Sequence, residues 1–317
     1  MKVKKVLLII YIITGLIVQA KAQFKGENIC IDDNWLFQLG DASSGDYEYH
    51  LQDNDFFPFA KTGRMVGVNA LDFPDDDWEV VNIPHDWAIE LPFVKDIYLN
   101  SHGYKPIGPD YPKTSLGWYR KKFKLGDEDR DKRLFIKFDG VYRNSQVWFN
   151  GFYLGNYESG YMEFSYDVTD FANFGDKDNL IVVRVDATEN EGWWYEGAGI
   201  YRHTWLIKKS PVHVPEYGTY ITTKVAGKTA LINIETQIVN RDQSAKYGNL
   251  FLEVVDATGK VVASDKNNKF SIESDGEKSF STQLSFKDPS LWSIDDPYRY
   301  TLVSKVLVDG KFTIKPR

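Results

Sequence analysis

Between Arg133 and Gly160 apolar and polar positions alternate with a period of two. Leu134, Ile136 and Phe138 fall on one side of an extended chain; Phe135, Lys137 and Asp139 fall on the other. That is the pattern of a strand with one buried face. Asp139-Gly140 reads as a turn. Val147 and Phe149 then alternate with Gln146 and Trp148 until Asn150-Gly151 interrupts them. This dipeptide supplies the two positive φ angles of a type I′ hairpin turn, so Phe152 to Leu154 should return as the partner strand. The pattern predicts three tightly joined antiparallel strands, to which the rest of residues 24–211 adds more.

Similar segments recur. Ile31 to Phe37 is a first strand entered through the acidic turn Asp32-Asp33. Trp78 to Pro84 is another, ended by a proline that cannot donate to a ladder. Gly117 to Leu125 and Asn179 to Asp186 are two more. Residues 40–76 are polar with few periodic apolar positions, and read as an excursion over the surface. They end in a solvated acidic turn, Asp75-Asp76-Asp77, which lacks the Gly and Glu spacing of a calcium loop. Lys121, Lys122 and Lys124 after Arg120 read as a solvated edge, where lysines discourage stray pairing. Leu91 to Pro112, rich in Gly, Pro and Tyr, is a loop. Tyr166 to Thr169 leads into a short turn.

Beyond Pro211 and Pro215 the strands become more regular. Ile232, Ile234 and Ile238 alternate with Asn233, Glu235 and Gln237. Asp256-Ala257-Thr258-Gly259 and Asp275-Gly276 are turns at sandwich-like spacing, and Tyr300 to Val308 is a strand. No segment alternates strand with helix, so the expected class is all-β.

Composition narrows the function. The 317 residues allow about two domains at roughly 100–200 residues each. Aromatic residues reach 15%, which suits sheet packing first and sugar stacking second. A net charge of −7 disfavours nucleic acid or an anionic membrane as partner. Lys2, Lys4 and Lys5 precede an apolar run from Val6 to Val18, and Ala20-Lys21-Ala22 forms a small-x-small cleavage site. Residues 1–22 are therefore expected to be a secretory signal peptide, too short for a membrane span. Cys30, the single cysteine, cannot form an internal disulfide and reads as a packed thiol rather than a nucleophile.

His85-Asp86 invites a catalytic reading. Neighbours on a strand face opposite ways, and no serine or cysteine is placed to complete a triad, so the pair reads as structural. The loop Ala187 to Gly199 is the most informative stretch. Trp193, Trp194 and Tyr195 could stack on the apolar faces of a pyranose, but the reading to be preferred is an aromatic plug packing against a following domain. No cofactor is expected, and no metal site is assigned.

Five stretches, taken in order, resemble the N-terminal sugar-binding jelly roll of glycoside hydrolase family 2, the family of β-galactosidases, β-glucuronidases and β-mannosidases. They are Val81 to Trp87 (VNIPHDW), Gly117-Trp118-Tyr119-Arg120, the run FDGVYRNSQVWFNGFYLGNYESGY from Phe138, Trp194 to Arg202 (WYEGAGIYR), and Val212-His213 followed by Gly218-Thr219-Tyr220-Ile221. The resemblance implies a jelly roll over 23–211 and an immunoglobulin-like sandwich over 216–317, the latter also resembled by Leu291-Trp292-Ser293 with Asp296-Pro297-Tyr298. The loop WYEGAGI points to the β-galactosidase type. In this family the corresponding loop reaches the mouth of the catalytic barrel, and an acid ending the preceding strand bonds sugar hydroxyls. Asp186 is the nearest match, which makes Asp186, Trp193, Trp194 and Tyr195 the substrate-binding candidates.

Family chemistry resides in a (β/α)₈ barrel of about 250 residues, where two carboxyl groups about 5 Å apart carry out retaining hydrolysis. The chain ends at Arg317, so it is expected to lack the barrel and both carboxylates. Asn190-Glu191 mimics the family's acid/base pair but sits in a polar loop. Lys311 to Arg317 departs from the family's usual exit, which leaves open whether the second domain is complete at its C-terminus. The reading is therefore the non-catalytic N-terminal portion of a secreted, periplasmic β-galactosidase-type enzyme. Its expected partners are a glycoside or oligosaccharide and a downstream catalytic barrel, with no nucleic acid and no membrane after signal cleavage. The alternatives are a free-standing carbohydrate-binding module using Trp193, Trp194 and Tyr195, or a scaffold protein with no feature beyond its fold.

Overall fold

The computed structural model describes residues 26–42, 67–95, 103–108, 111–188 and 195–314. The signal peptide expected at 1–22, the candidates Trp193 and Trp194, and the decoy Asn190-Glu191 lie outside the described residues.

The first unit contains β1 (Glu27–Cys30), β2 (Trp35–Leu39), β3 (Glu79–Val81), β4 (Val94–Lys95), β5 (Gly103–Tyr104), β6 (Leu116–Lys124), β7 (Arg133–Phe138), β8 (Ser145–Phe149), β9 (Phe152–Tyr157), β10 (Phe164–Asp167), β11 (Asp178–Asp186) and β12 (Thr204–Lys209). A four-stranded sheet, β1-β12-β7-β10, faces a six-stranded sheet, β3-β2-β6-β11-β8-β9. This is the jelly-roll sandwich. Leu134, Ile136 and Phe138 of β7 enter the core from one side; Val147 and Phe149 of β8, with Ile181 and Val183 of β11, enter from the other. Burying each such side chain contributes roughly 1.5–3 kcal/mol.

The Asn150-Gly151 hairpin forms as expected. Phe149 pairs with Phe152, and the two turn residues have φ of 50° and 80°. The three-strand expectation fails at Asp139-Gly140, because β7 and β8 lie in opposite sheets. The connection crosses the sandwich instead of turning back. The Asp139 amide donates to His203 O (2.9 Å), and Tyr142 pairs with Gly199 through both backbone groups (2.7 and 2.8 Å). Alternation fixes which face of a strand is buried and says nothing of its partner. Two apolar stripes that face each other across a core exclude more water than two lying side by side.

Two further expectations are corrected. The described end of the polar stretch, residues 67–76, is no surface excursion. It lies over the outer face of the six-stranded sheet, where Val68 and Trp78, with Leu71 and Phe73, cover Trp118, Trp148, Leu180 and Val182. Strand β11, expected to alternate strongly between buried and exposed positions, is consequently buried on both faces from Asn179 to Val183. Nor is β6 an edge, since it pairs with β2 on one side and β11 on the other. Its Arg120 is fully buried and bonds Asp75 at 2.8 Å, so Asp75 is not part of a solvated turn.

The second unit contains β13 (Val212–His213), β14 (Thr219–Ala226), β15 (Thr229–Asn240), β16 (Lys246–Val255), β17 (Val261–Ile272), β18 (Glu277–Lys287), β19 (Thr301–Val308) and β20 (Lys311–Ile314). β15 takes β18 along one edge and β13 then β14 along the other. The facing sheet runs β17-β16-β19-β20. Ile232, Ile234 and Ile238 pack on Leu250, Leu252 and Val254 between the sheets, giving an immunoglobulin-like sandwich. β13 falls within 212–215, between the two expected domains, yet pairs with the second unit. Among the described residues, helix is confined to short 3-10 turns, and no helix is long and apolar enough to cross a membrane.

Candidate functional site at the loop end of the first sandwich

The Tyr142-Arg143 segment gathers the site, because three loops converge on it. Asp186 closes β11, and its amide donates to Arg143 O (3.1 Å). Gly199, at the far end of the aromatic loop, pairs with Tyr142. The Tyr142 ring meets Tyr161 edge-on at 5.5 Å. Burial, with a hydrogen bond to Glu196, holds the Tyr142 phenol well above its ordinary range.

Asp186 and Tyr195 are held by different partners. Asp186 Oδ2 pairs with Arg184 Nη2 (3.1 Å), and Oδ1 accepts from Thr188 N (3.2 Å) and the Thr188 hydroxyl. Its carboxylate is thus held rigidly, half-buried, at the strand end. Tyr195 is 47% exposed, and its hydroxyl donates to Asp86 Oδ2 (2.5 Å). Trp193 and Trp194 complete the expected quartet but lie outside the described residues.

Asp86 is the residue that the sequence underweighted. Its Oδ1 accepts from Ala88 N (3.0 Å), capping the turn Trp87–Glu90, and from Ala198 N (2.7 Å). One carboxylate therefore fixes both the turn and the loop carrying Tyr195. Gly197, at φ 75°, comes so close that a Cβ there would lie 2.8 Å from Asp86 Oδ2. His85 turns away to Tyr119 (Nδ1 to OH 2.8 Å), and burial pushes its imidazole below the ordinary value. The two side chains thus have separate partners, as expected of neighbours on an extended chain. The link from Asp86 to a loop more than a hundred residues later was invisible in the local motif.

A second feature had no sequence signal. A cleft of 510 Å³ lies between the two units, lined by Lys137, Asp139, Glu163, Trp205 and Glu216 among others. Lys137 Nζ sits 2.6 Å from Glu163 and 2.9 Å from Glu216. Two carboxylates in a cleft call to mind a retaining glycosidase, where one carboxyl must stay protonated as the acid. Here the hydrogen bond from Lys137, aided by the Tyr217 hydroxyl, holds Glu163 below the ordinary carboxylate range. Burial alone would lower the Lys137 pKa; its bonds to Glu163 and Glu216 outweigh that and raise it. The cluster is an ionic joint between the sandwiches, not an acid/nucleophile pair. Among the described residues, one group of metal-ligating side chains draws close: Cys30, Asp32 and His203.

A jelly roll followed by an immunoglobulin-like sandwich, with a polar aromatic rim at one end, defines a pair of β modules of the kind that accompany carbohydrate-active domains. Residues 31–210 match the family description "Glycosyl hydrolases family 2, sugar binding domain", and residues 212–315 match "Glycosyl hydrolases family 2". The chain belongs to glycosyl hydrolase family 2. It is 40% identical over 268 residues to the β-galactosidase BoGH2A of Bacteroides ovatus, covering 83% of this chain and 29% of that protein. A β-glucuronidase of Formosa agariphila is 31% identical, over 76% of this chain and 26% of the relative. The crystal structure of a family 2 member from Bacteroides cellulosilyticus superposes with a TM-score of 0.71 at 30% identity, over 91% of this chain and 35% of that one. The chain thus spans less than a third of the length of these curated relatives.

Proposed function

We propose that this chain is the N-terminal supporting region of an exported, periplasmic glycosidase that removes terminal β-D-galactosyl residues. Its jelly roll would span 23–211 and its sandwich 216–317, after loss of residues 1–22. The catalytic barrel would follow it. The observation that carries this reading is the consecutive match of the family's two accessory modules, together with 40% identity to a β-galactosidase. In this role the ionic joint holds the two sandwiches as one brace. Asp186 and Tyr195, with Trp193 and Trp194, would form one wall of the pocket; Arg184 holds Asp186 and Asp86 holds Tyr195.

The test is the full chain with p-nitrophenyl β-galactoside. No p-nitrophenol should appear above the buffer rate, and clear turnover would overturn the assignment of a supporting role. Calorimetric titration with galactosides decides against the free-standing binding module. A brace gives no heat at millimolar sugar; heat that disappears in Tyr195→Ala would mean that the loop binds sugar by itself.

A further inference from the structure

We infer that Cys30, Asp32 and His203 form a surface site for a divalent transition-metal ion of the zinc class. Their donor atoms, a thiol sulfur, a carboxylate oxygen and an imidazole nitrogen, all lie within 4.8 Å of one another. Tetrahedral bonds of 2.0–2.3 Å separate donors by about 3.3–3.8 Å, so small side-chain rotations bring all three onto one ion.

The scaffold beneath is rigid. Cys30 ends β1, His203 immediately precedes β12, and these strands pair from Glu27↔Lys208 to Cys30↔Trp205. The ladder continues with Ile31 N to Thr204 O at 3.0 Å. Cys30 and Asp32, two apart on an extended chain, project to the same side. Asp32 Oδ1 accepts from Thr204 N (2.9 Å), which leaves Oδ2 facing His203 Nδ1 at 2.6 Å. The His203 ring stands edge-on to Trp205 at 5.8 Å, and Trp205 is itself held by a bond to Asp139 (2.9 Å). Two of the three ligands are therefore braced by the strand pair, as ligating groups commonly are.

The donor set selects the ion. Sulfur and imidazole suit zinc, cobalt and related ions, whereas calcium and magnesium require oxygen. Binding displaces the thiol proton to solvent; the proton that His203 Nδ1 donates to Asp32 Oδ2 is likewise released, or passed to Nε2, so that a neutral imidazole ligates through Nδ1. One thiolate and one carboxylate then balance the +2 charge. Cys30 and His203 are exposed, so the ion has an open entry path and water fills its fourth position. The motif escapes sequence inspection because Asp32 and His203 are 171 positions apart.

Cobalt(II) titration of the reduced full chain tests this directly. Cys30 is the sole cysteine, so a thiolate-to-cobalt charge-transfer band can arise only here. We expect that band to appear, to be abolished by equimolar zinc, and to survive excess calcium. Cys30→Ser should eliminate it, and His203→Ala should weaken cobalt affinity about tenfold or more, with the far-ultraviolet circular dichroism unchanged in both. Absence of the band, its loss to calcium, or unaltered affinity in His203→Ala would overturn the site.

Discussion

Arg120 shows what a single residue can decide in this fold. It lies on an interior strand, its side chain fully buried, yet it is a permanent cation. Asp75 Oδ2 accepts from its Nε at 2.8 Å, Ala70 O from its Nη2 at 2.9 Å, and Val68 O from its Nη1. The rings of Phe73 and Trp78 lie 5.3 and 5.9 Å from the guanidinium carbon. Arg120 therefore draws residues 68–78 onto the back of the six-stranded sheet. Lys122 also reaches Asp75, at 3.1 Å, but is 37% exposed and contributes little. Asp75→Ala would leave the guanidinium buried and uncompensated, at a cost of about 3–5 kcal/mol. The double variant Asp75→Leu with Arg120→Met removes both charges and should be milder. Urea unfolding measures both, and an unchanged midpoint for Asp75→Ala would show that the pair does nothing. The sequence placed Arg120 beside three lysines and Asp75 in an acidic run 45 residues away. Nothing local separates a buried cation from a solvated one.

The hairpin of β8 and β9 carries the clearest local signal, and its turn does more than turn. Asn150 is buried; its Nδ2 donates to Phe171 O (2.8 Å) and Asn179 Oδ1 (2.9 Å), and its Oδ1 accepts from Leu180 N (2.8 Å). The side chain thus ties the turn to β11 and to the turn after β10. Asn150→Ala should lose about 2–4 kcal/mol, combining an unsatisfied buried amide with a positive φ that alanine resists. Gly151→Ala leaves the Asn150 side chain in place but strains a φ of 80°, and should lose about 1–2 kcal/mol. Equilibrium denaturation of the two variants separates these effects, and equal losses would show that the Asn150 network is idle. Asn-Gly could be read as a hairpin because turn chemistry is local. The same holds for the Ile232, Ile234 and Ile238 stripe, whose second face meets water. The partner of β7 could not be read, because partner choice depends on the crossing at Asp139 to Asn144 and its bonds to His203 and Gly199. At the candidate site, the family resemblance marks Asp186 and the composition of the loop marks Tyr195. Their anchors, Arg184 and Asp86, emerge only from the folded contacts.

At the scale of the whole molecule, the two sandwiches are joined by groups that respond differently to acid. One anchor is the Lys137 cluster, whose Glu163 stays ionised below the usual carboxylate range. The other is His213 on β13, which meets Phe135 of β7 edge-on at 6.1 Å. His213 is buried, and its Nδ1–H donates to Ser210 O (2.7 Å). Burial, together with the nearby Lys209 and Arg133 cations, depresses its pKa to about 4, against 6.5 for a free imidazole. The folded state therefore refuses a proton that the unfolded chain accepts. Stability is complete above pH 6.5, falls as the pH drops towards 4, and stays reduced below that. The lost contribution amounts to about 3 kcal/mol. His213→Gln keeps a donor for Ser210 but cannot be protonated, so its stability should fall less between pH 7 and pH 4 by that amount. Urea midpoints at the two pH values measure the difference. Parallel losses in the two proteins would place the acid sensitivity elsewhere. A gap of the expected size would identify His213 as the source of that acid sensitivity.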